Sequence, residues 1–180
     1  MFKLKIDSEV HLELIHFSHA NKIFSLIDSN RENLRKWFIW IDSIQSIDDE
    51  KKAIETFLRK FAQQKLLKCV IFYKGVLVGI IELRINRGYG IKKGELGYWL
   101  DSKFYGKGII HRATKKILAI GFNEYDLDKI ILKCAVSNER SCNVAQKLGM
   151  RYEGRLEGDT KINGVVMDVD SYGILKSKFV

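Results

Sequence analysis

The run Gly97-Tyr98-Trp99-Leu100-Asp101 … Tyr105-Gly106-Lys107-Gly108-Ile109-Ile110 decides how the rest of the chain is read. Glu95 to Leu100 reads as a strand, and beyond the turn Ile109, Ala113, Ile117, Leu118 and Ile120 recur at helical spacing until about Tyr125. A strand, a glycine turn and then a helix leave the first backbone N–H groups of that helix, and its positive dipole end, facing whatever lies at the turn. An anion suits that place. Side chains at Gly106 and Gly108 would hold phosphate oxygens away from the backbone. The turn carries neither Gly-x-x-x-x-Gly-Lys-Ser/Thr nor Gly-x-Gly-x-x-Gly, which argues against nucleoside-triphosphate hydrolysis and dinucleotide binding.

Downstream, Lys129 to Val136 reads as a strand and Asn138 to Leu148 as a helix stopped by Gly149. Met150 to Asp159 and Val165 to Leu175 form a hairpin turning at Asn163-Gly164. Upstream, Val10 to Ile15 alternates as a strand, and Ser18 is placed to cap a helix running to about Ser29. A short helix at 31–40 ends in Trp37, Phe38 and Trp40. Ser46 and Asp49 resemble a capping box for a helix with an Ala53, Ile54, Phe57, Leu58, Phe61 stripe. Lys68 to Tyr73 and Val76 to Ile85 join at Lys74-Gly75, and a glycine-bearing turn at Gly88 to Gly94 precedes Glu95. The element order is β-α-α-β-β-β-α-β-α-β-β.

The chain has 180 residues, 46% of them apolar, which fits one α/β domain over residues 1–180 and excludes disordered and collagen-like classes. No apolar run nears the roughly 18 residues that span a bilayer. The start, Met1 to Asp7, alternates apolar and charged residues rather than forming a signal peptide, so a cytoplasmic location and no membrane partner are expected. Cys69, Cys134 and Cys142 are too widely spaced for a local disulfide or metal pair and read as buried apolar residues. His11, His16, His19 and His111 share no ligand spacing, so no metal is predicted. The net charge is +9, of which residues 101–125 and 129–151 hold +7. That basic half surrounds the glycine turn, which points to a local anion site rather than a generally basic surface. No helix-turn-helix or aromatic-interleaved basic motif is visible, so direct nucleic-acid binding is not expected.

The glycine-turn run, followed by Asn138-Glu139-Arg140-Ser141-Cys142-Asn143-Val144-Ala145-Gln146-Lys147-Leu148-Gly149-Met150, resembles the GNAT superfamily of acetyl-CoA-dependent N-acetyltransferases. Within it, the chain is most similar to the RimJ/RimL branch, whose members acetylate protein N-termini, including ribosomal ones. The Asn-Arg-x-x-Leu-x-x-Trp-x-x-Trp pattern at Asn30 to Trp40 and the terminal hairpin match too.

The resemblance implies a single mixed, mostly antiparallel twisted sheet of about seven strands flanked by about four helices. It also implies acetyl-CoA as co-substrate. The diphosphate turn of the family, Gln/Arg-x-x-Gly-x-Gly/Ala, falls on Tyr105, Gly106, Lys107, Gly108, Ile109 and Ile110, with Tyr105 and Ile110 departing from the usual types. The edge of Tyr98, Trp99 and Leu100 should pair with the pantetheine amides and supply an oxyanion donor, while Asn138 and Asn143 reach the coenzyme from the next helix. CoA carries roughly −4, a partner for the basic half.

Attack of a neutral amine on a thioester requires a base, an oxyanion donor and an acid for the leaving thiolate. By resemblance the acid is Ser141, since the Tyr that many relatives carry seven residues after the Asn is Ala145 here. Some relatives place a carboxylate where this chain has Lys103, so Glu95 and Glu82 stand as candidate bases. Trp37 and Trp40 are candidates for an aromatic wall against the acceptor. An α-amine near pKa 7.9 is about a tenth neutral at pH 7 and a Lys amine about 0.04%, a gap of roughly 3.4 kcal/mol, which favours an α-amine at a site with a weak base. A polyamine or aminoglycoside acceptor is the rival, with Asp42, Asp48, Asp49 and Glu50 as its acidic cluster. A non-catalytic acyl-CoA sensor is the alternative from another class. A homodimer is compatible with all of these.

Overall fold

A computed structural model describes residues 3–88 and 90–179. Met1 and Phe2 of the alternating start, and Tyr89 of the Gly88 to Gly94 turn, lie outside the described residues. The strands are β1 (Lys3–Lys5), β2 (Val10–Leu14), β3 (Leu66–Tyr73), β4 (Val76–Asn86), β5 (Lys93–Leu100), β6 (Lys129–Ala135), β7 (Arg151–Ile162) and β8 (Val165–Leu175). The helices are α1 (Ala20–Arg35), α2 (Ile47–Ala62), α3 (Ile109–Asn123) and α4 (Glu139–Lys147). All eight strands form one sheet in the order β1-β2-β3-β4-β5-β6-β8-β7, and only β5 and β6 pair in parallel. The eighth strand is β1, three residues of the charged start laid along the edge of β2.

The alternation along β5 assigns its two faces. Leu96 and Leu100 point into a core with Ile109, Ala113 and Ile117 of α3 and Cys142 and Ala145 of α4, whereas Trp99 points into a second core with Ile23 and Ile27 of α1 and Ile54 of α2. Burial of each such aliphatic side chain contributes ~2 kcal/mol. The sheet is therefore clamped from both faces.

Local chemistry explains where the elements begin. Ser46 Oγ accepts from the Asp49 N–H at 3.2 Å and the Asp49 carboxylate accepts from the Gln45 N–H at 3.2 Å, so the pair caps α2. Asn163 and Gly164, at φ +51° and +82°, make the β7–β8 turn. Two expectations near α1 fail. Ser18 does not cap it: Phe17–His19 form a 3-10 turn, and the Ser18 N–H instead donates to His16 Nδ1. Nor does a second helix begin at Arg31, because α1 runs unbroken to Arg35. Asn30, at the junction of the two expected helices, is 5% exposed and donates to the Leu26 carbonyl inside α1.

Candidate active site

Parallel pairing between β5 and β6 lasts for only four residue pairs, from Lys93↔Lys129 to Leu96↔Leu132. Beyond Leu96, β5 continues to Leu100 paired with β4 alone, and β6 continues to Ala135 paired with β8 alone. The divergence leaves Gly97 to Leu100 with an edge that no strand covers and opens a cleft of about 1330 Å³ between the strands. Unpaired backbone amides along such an edge are ready to bind an extended amide-bearing ligand.

The cleft runs on to the glycine turn. The buried Asp101 carboxylate accepts from the Lys103 N–H at 3.0 Å and starts the 3-10 turn Ser102–Phe104. Asn30 Oδ1 accepts from the Ser102 N–H at 3.2 Å and from its hydroxyl at 3.3 Å, tying α1 to the turn. Arg112 donates to the Lys107 carbonyl at 3.2 Å while its other nitrogen is held by Asp7 at 2.8 Å. Gly106 and Gly108 have φ of +77° and +67°, the left-handed region that disfavours side chains. A Cβ at either would meet no protein atom within 4 Å, so it is the backbone bend that demands glycine. Gly108 is also the N-cap of α3 and offers no side chain to the first N–H groups. Gly108, Ile109, Ile110 and His111 all line the cleft, and Ile109 and Ile110 are buried. Tyr105, in the place of the usual polar residue, stacks under the Arg140 guanidinium at 4.6 Å.

At the mouth of the diverging strands, the Tyr98 and Ser141 hydroxyls are 2.9 Å apart. Asn138 caps α4, its side-chain oxygen accepting from the Ser141 N–H at 3.3 Å. Burial pushes the Tyr98 hydroxyl far above its ordinary pKa, against a smaller downward pull from Ser141. Asn143 is exposed and lines the same cleft. Cys134 and Cys142, distant in sequence terms, are brought to 2.9 Å between sulfurs, and both are buried free thiols.

Glu95 lines the cleft and accepts from Arg84 at 2.9 Å across the β4–β5 register. Glu82 does not line it. Its carboxylate is gripped by Lys68 at 2.8 Å and Arg84 at 2.8 Å, and although burial pushes its pKa up, Lys68 and then Arg84 outweigh that and hold it below its ordinary value. Trp37 and Phe38 form part of the cleft wall, whereas Trp40 packs with Phe38 at 5.6 Å against the α1/α2 core and is not on the wall. Two further roles show only in the fold. Asp159 of β7 lines the cleft paired with Lys133 at 3.0 Å, and Asn30 holds the turn from 72 residues away. Pairings between such distant positions leave no local pattern to read. Among the described residues no group of three or more His, Cys, Asp or Glu is placed to hold a metal ion, and no helix is long and apolar enough to cross a membrane.

The profile of the Acetyltransferase (GNAT) domain matches residues 10–151. A putative ribosomal N-acetyltransferase, YdaF, of Bacillus subtilis is 30% identical over 180 residues, covering 99% of this chain and 98% of that one. The ribosomal-protein-serine acetyltransferase of Escherichia coli is 28% identical over 94% of both chains. Among solved structures, the microcin C7 self-immunity acetyltransferase MccE, crystallised with acetyl-CoA and AMP, superposes with a TM-score of 0.88 at 28% identity, covering 95% of this chain and 94% of that one. With diverging parallel strands, a glycine turn and these relatives over nearly its whole length, the chain belongs to the GNAT family of acetyltransferases.

Proposed function

We propose that the chain transfers the acetyl group of acetyl-CoA to the α-amine of a protein N-terminus, a ribosomal protein among the candidates. The observation that carries this reading is that the uncovered edge Gly97 to Leu100 and the Gly106–Gly108 turn line one continuous cleft. Pantetheine amides would pair along that edge and the diphosphate would sit on the first N–H groups of α3. The thioester would then lie beside Tyr98 and Ser141. Ser141 gives its proton to the departing thiolate, and a backbone N–H of the edge stabilises the oxyanion. Glu95, on the cleft wall, takes the amine proton directly or through water, a light task for an α-amine.

Charge favours the peptide over a polycation. The acidic cluster that a polyamine would need is committed elsewhere: Asp42 pairs with Arg35 at 2.6 Å, Asp48 with Lys51 at 2.9 Å, and Asp49 caps α2. Glu95 and Asp159, the acids on the acceptor side of the cleft, are already paired with Arg84 and Lys133. The names of two relatives as ribosomal acetyltransferases support the same choice.

The test is incubation with acetyl-CoA and a panel of N-terminal peptides, lysine peptides with blocked N-termini, and polyamines, read by the mass of one added acetyl group and by thiol release. Acetylation of α-amines above the other two supports the reading. Thiol release with polyamines alone sinks it.

A further inference from the structure

The charges of the cleft are segregated. On the acceptor side each cation has an acidic partner: Arg84 holds Glu82 and Glu95, and Lys133 holds Asp159. On the far side, Lys107 within the glycine turn and Lys147 at the end of α4 line the cleft without a carboxylate within ion-pair distance among the described residues. Within the cleft, the cations of the acceptor side are therefore neutralised, and Lys107 and Lys147 are not.

His111 marks that end. It lies in the first turn of α3, just past the turn residues, and lines the cleft half-buried. Its Nδ1 is enclosed and has no hydrogen-bond partner, so the ring's hydrogen bonding goes through Nε2 on its open side. Lys115 is one helical turn further along the same face, and Lys147 approaches from the last turn of α4. Burial first, then Lys115 and Lys147, lowers the pKa of His111. Two free ammonium groups around a partnerless imidazole repel one another until an anion arrives. In CoA a second anion stands at a fixed short remove from the diphosphate: the monoester on the 3′-oxygen of the ribose. One turn of helix, about 5.4 Å, separates the level of His111 from that of Lys115, a spacing of the same order as a ribose.

Resting on the acetyl-CoA reading above, we propose that His111, Lys115 and Lys147 form a subsite for the ribose 3′-phosphate, so that the enzyme selects acetyl-CoA over its 3′-dephospho form. The diphosphate is gripped by backbone and is common to both forms. Side chains of the neighbouring helices tell them apart.

The experiment compares acetyl-CoA with 3′-dephospho-acetyl-CoA, by KM in the transfer assay and by calorimetric binding of CoA and 3′-dephospho-CoA. The wild-type protein should prefer the phosphorylated form by about tenfold or more, the worth of one charge-assisted contact. Lys147→Gln, Lys115→Gln and His111→Ala should each narrow that ratio. Lys60→Gln removes the same charge from the end of α2 and should leave the ratio at its wild-type value. Both lysine positions are exposed, so these variants fold even if His111→Ala does not. A wild-type ratio near one, or a ratio that survives the lysine substitutions or falls equally in Lys60→Gln, overturns the subsite. Failure of both forms to bind would instead sink the acetyl-CoA reading itself.

Discussion

The Tyr98 hydroxyl meets the Ser141 hydroxyl at 2.9 Å, joining the open edge of β5 to the first turn of α4. Ser141 is thereby fixed from two sides, its hydroxyl by Tyr98 and its backbone N–H by Asn138. Because burial keeps the phenol protonated, in the proposed reaction Tyr98 would donate to Ser141 as Ser141 gives up its own proton. Position 145 of α4 is Ala, so the only phenol hydrogen-bonded to Ser141 among the described residues comes from the opposite wall.

Substitution of Ser141 by Ala should lower kcat by about 10²-fold, the usual scale of a lost general acid, with the affinity for acetyl-CoA kept. Tyr98→Phe should cost about tenfold, since it removes a hydrogen bond to the acid and not the acid itself. If Tyr98 acts through Ser141, the double variant is no slower than Ser141→Ala. Steady-state thiol release decides it. A double variant slowed by the product of the two single effects would show that they act independently.

Much of the coenzyme half was legible because its signals are local. Gly106 and Gly108 declare left-handed turns within a few residues, Asn138 caps the helix that carries Ser141, and period-two and period-3.6 patterns assign β5 and α3. The acceptor half was less legible, since its groups meet across the sheet. The row Lys68, Glu82, Arg84, Glu95 exists only once β3 pairs with β4 and β4 with β5 in register. Asn30 shows the other limit. Its type suggests a helix end, but a half-buried partner at Ser102 offsets its cost inside α1, so tertiary context overrides local propensity.

The two acids on the acceptor side of the cleft give a direct contest for the base. Glu95→Gln should lower kcat/KM for the amine by about 10²-fold while leaving calorimetric CoA affinity at the wild-type level. Both carboxylates are ion-paired, Glu95 with Arg84 and Asp159 with Lys133, but Glu95 stands on β5, the strand whose open edge would aim the thioester, so Asp159→Asn should have the smaller effect. The reverse order would move the base to β7.

Gly108→Ala separates strain from ligand contact. An L-residue at φ +67° costs about 1–2 kcal/mol, a loss of roughly 3–6 °C in Tm for a chain of this size. Gly149, at φ +70° after α4, has equally open surroundings and serves as the comparison. Both alanine variants should lose similar stability in thermal unfolding, but only Gly108→Ala should raise the KM for acetyl-CoA, by about tenfold for a displaced set of anion donors. Equal KM values in the two variants would remove the diphosphate from that turn.

Glu50 should make stability fall as pH rises. It stands in the first turn of α2, where the helix dipole favours a carboxylate, yet it is 3% exposed. Burial wins, pushing its pKa from 4.5 up to about 7 despite the pull of Lys68. Below 4.5 the folded and unfolded chains both hold the proton, and the group contributes no slope. Between 4.5 and 7 the unfolded chain releases it while the folded chain retains it, so unfolding becomes easier, and above 7 both are ionised and the loss is complete. The full loss is about 3 kcal/mol. Glu50→Gln keeps the neutral shape and removes the titration. Urea unfolding at pH 5 and pH 8 should therefore show the variant ahead of the wild type by about 3 kcal/mol at pH 8 and by less than half of that at pH 5. Taking the difference between variant and wild type cancels the opposite slope of carboxylates held low by cations, such as Glu82. Parallel stability curves for the two proteins would mean that water or Lys68 keeps Glu50 ionised in the folded state.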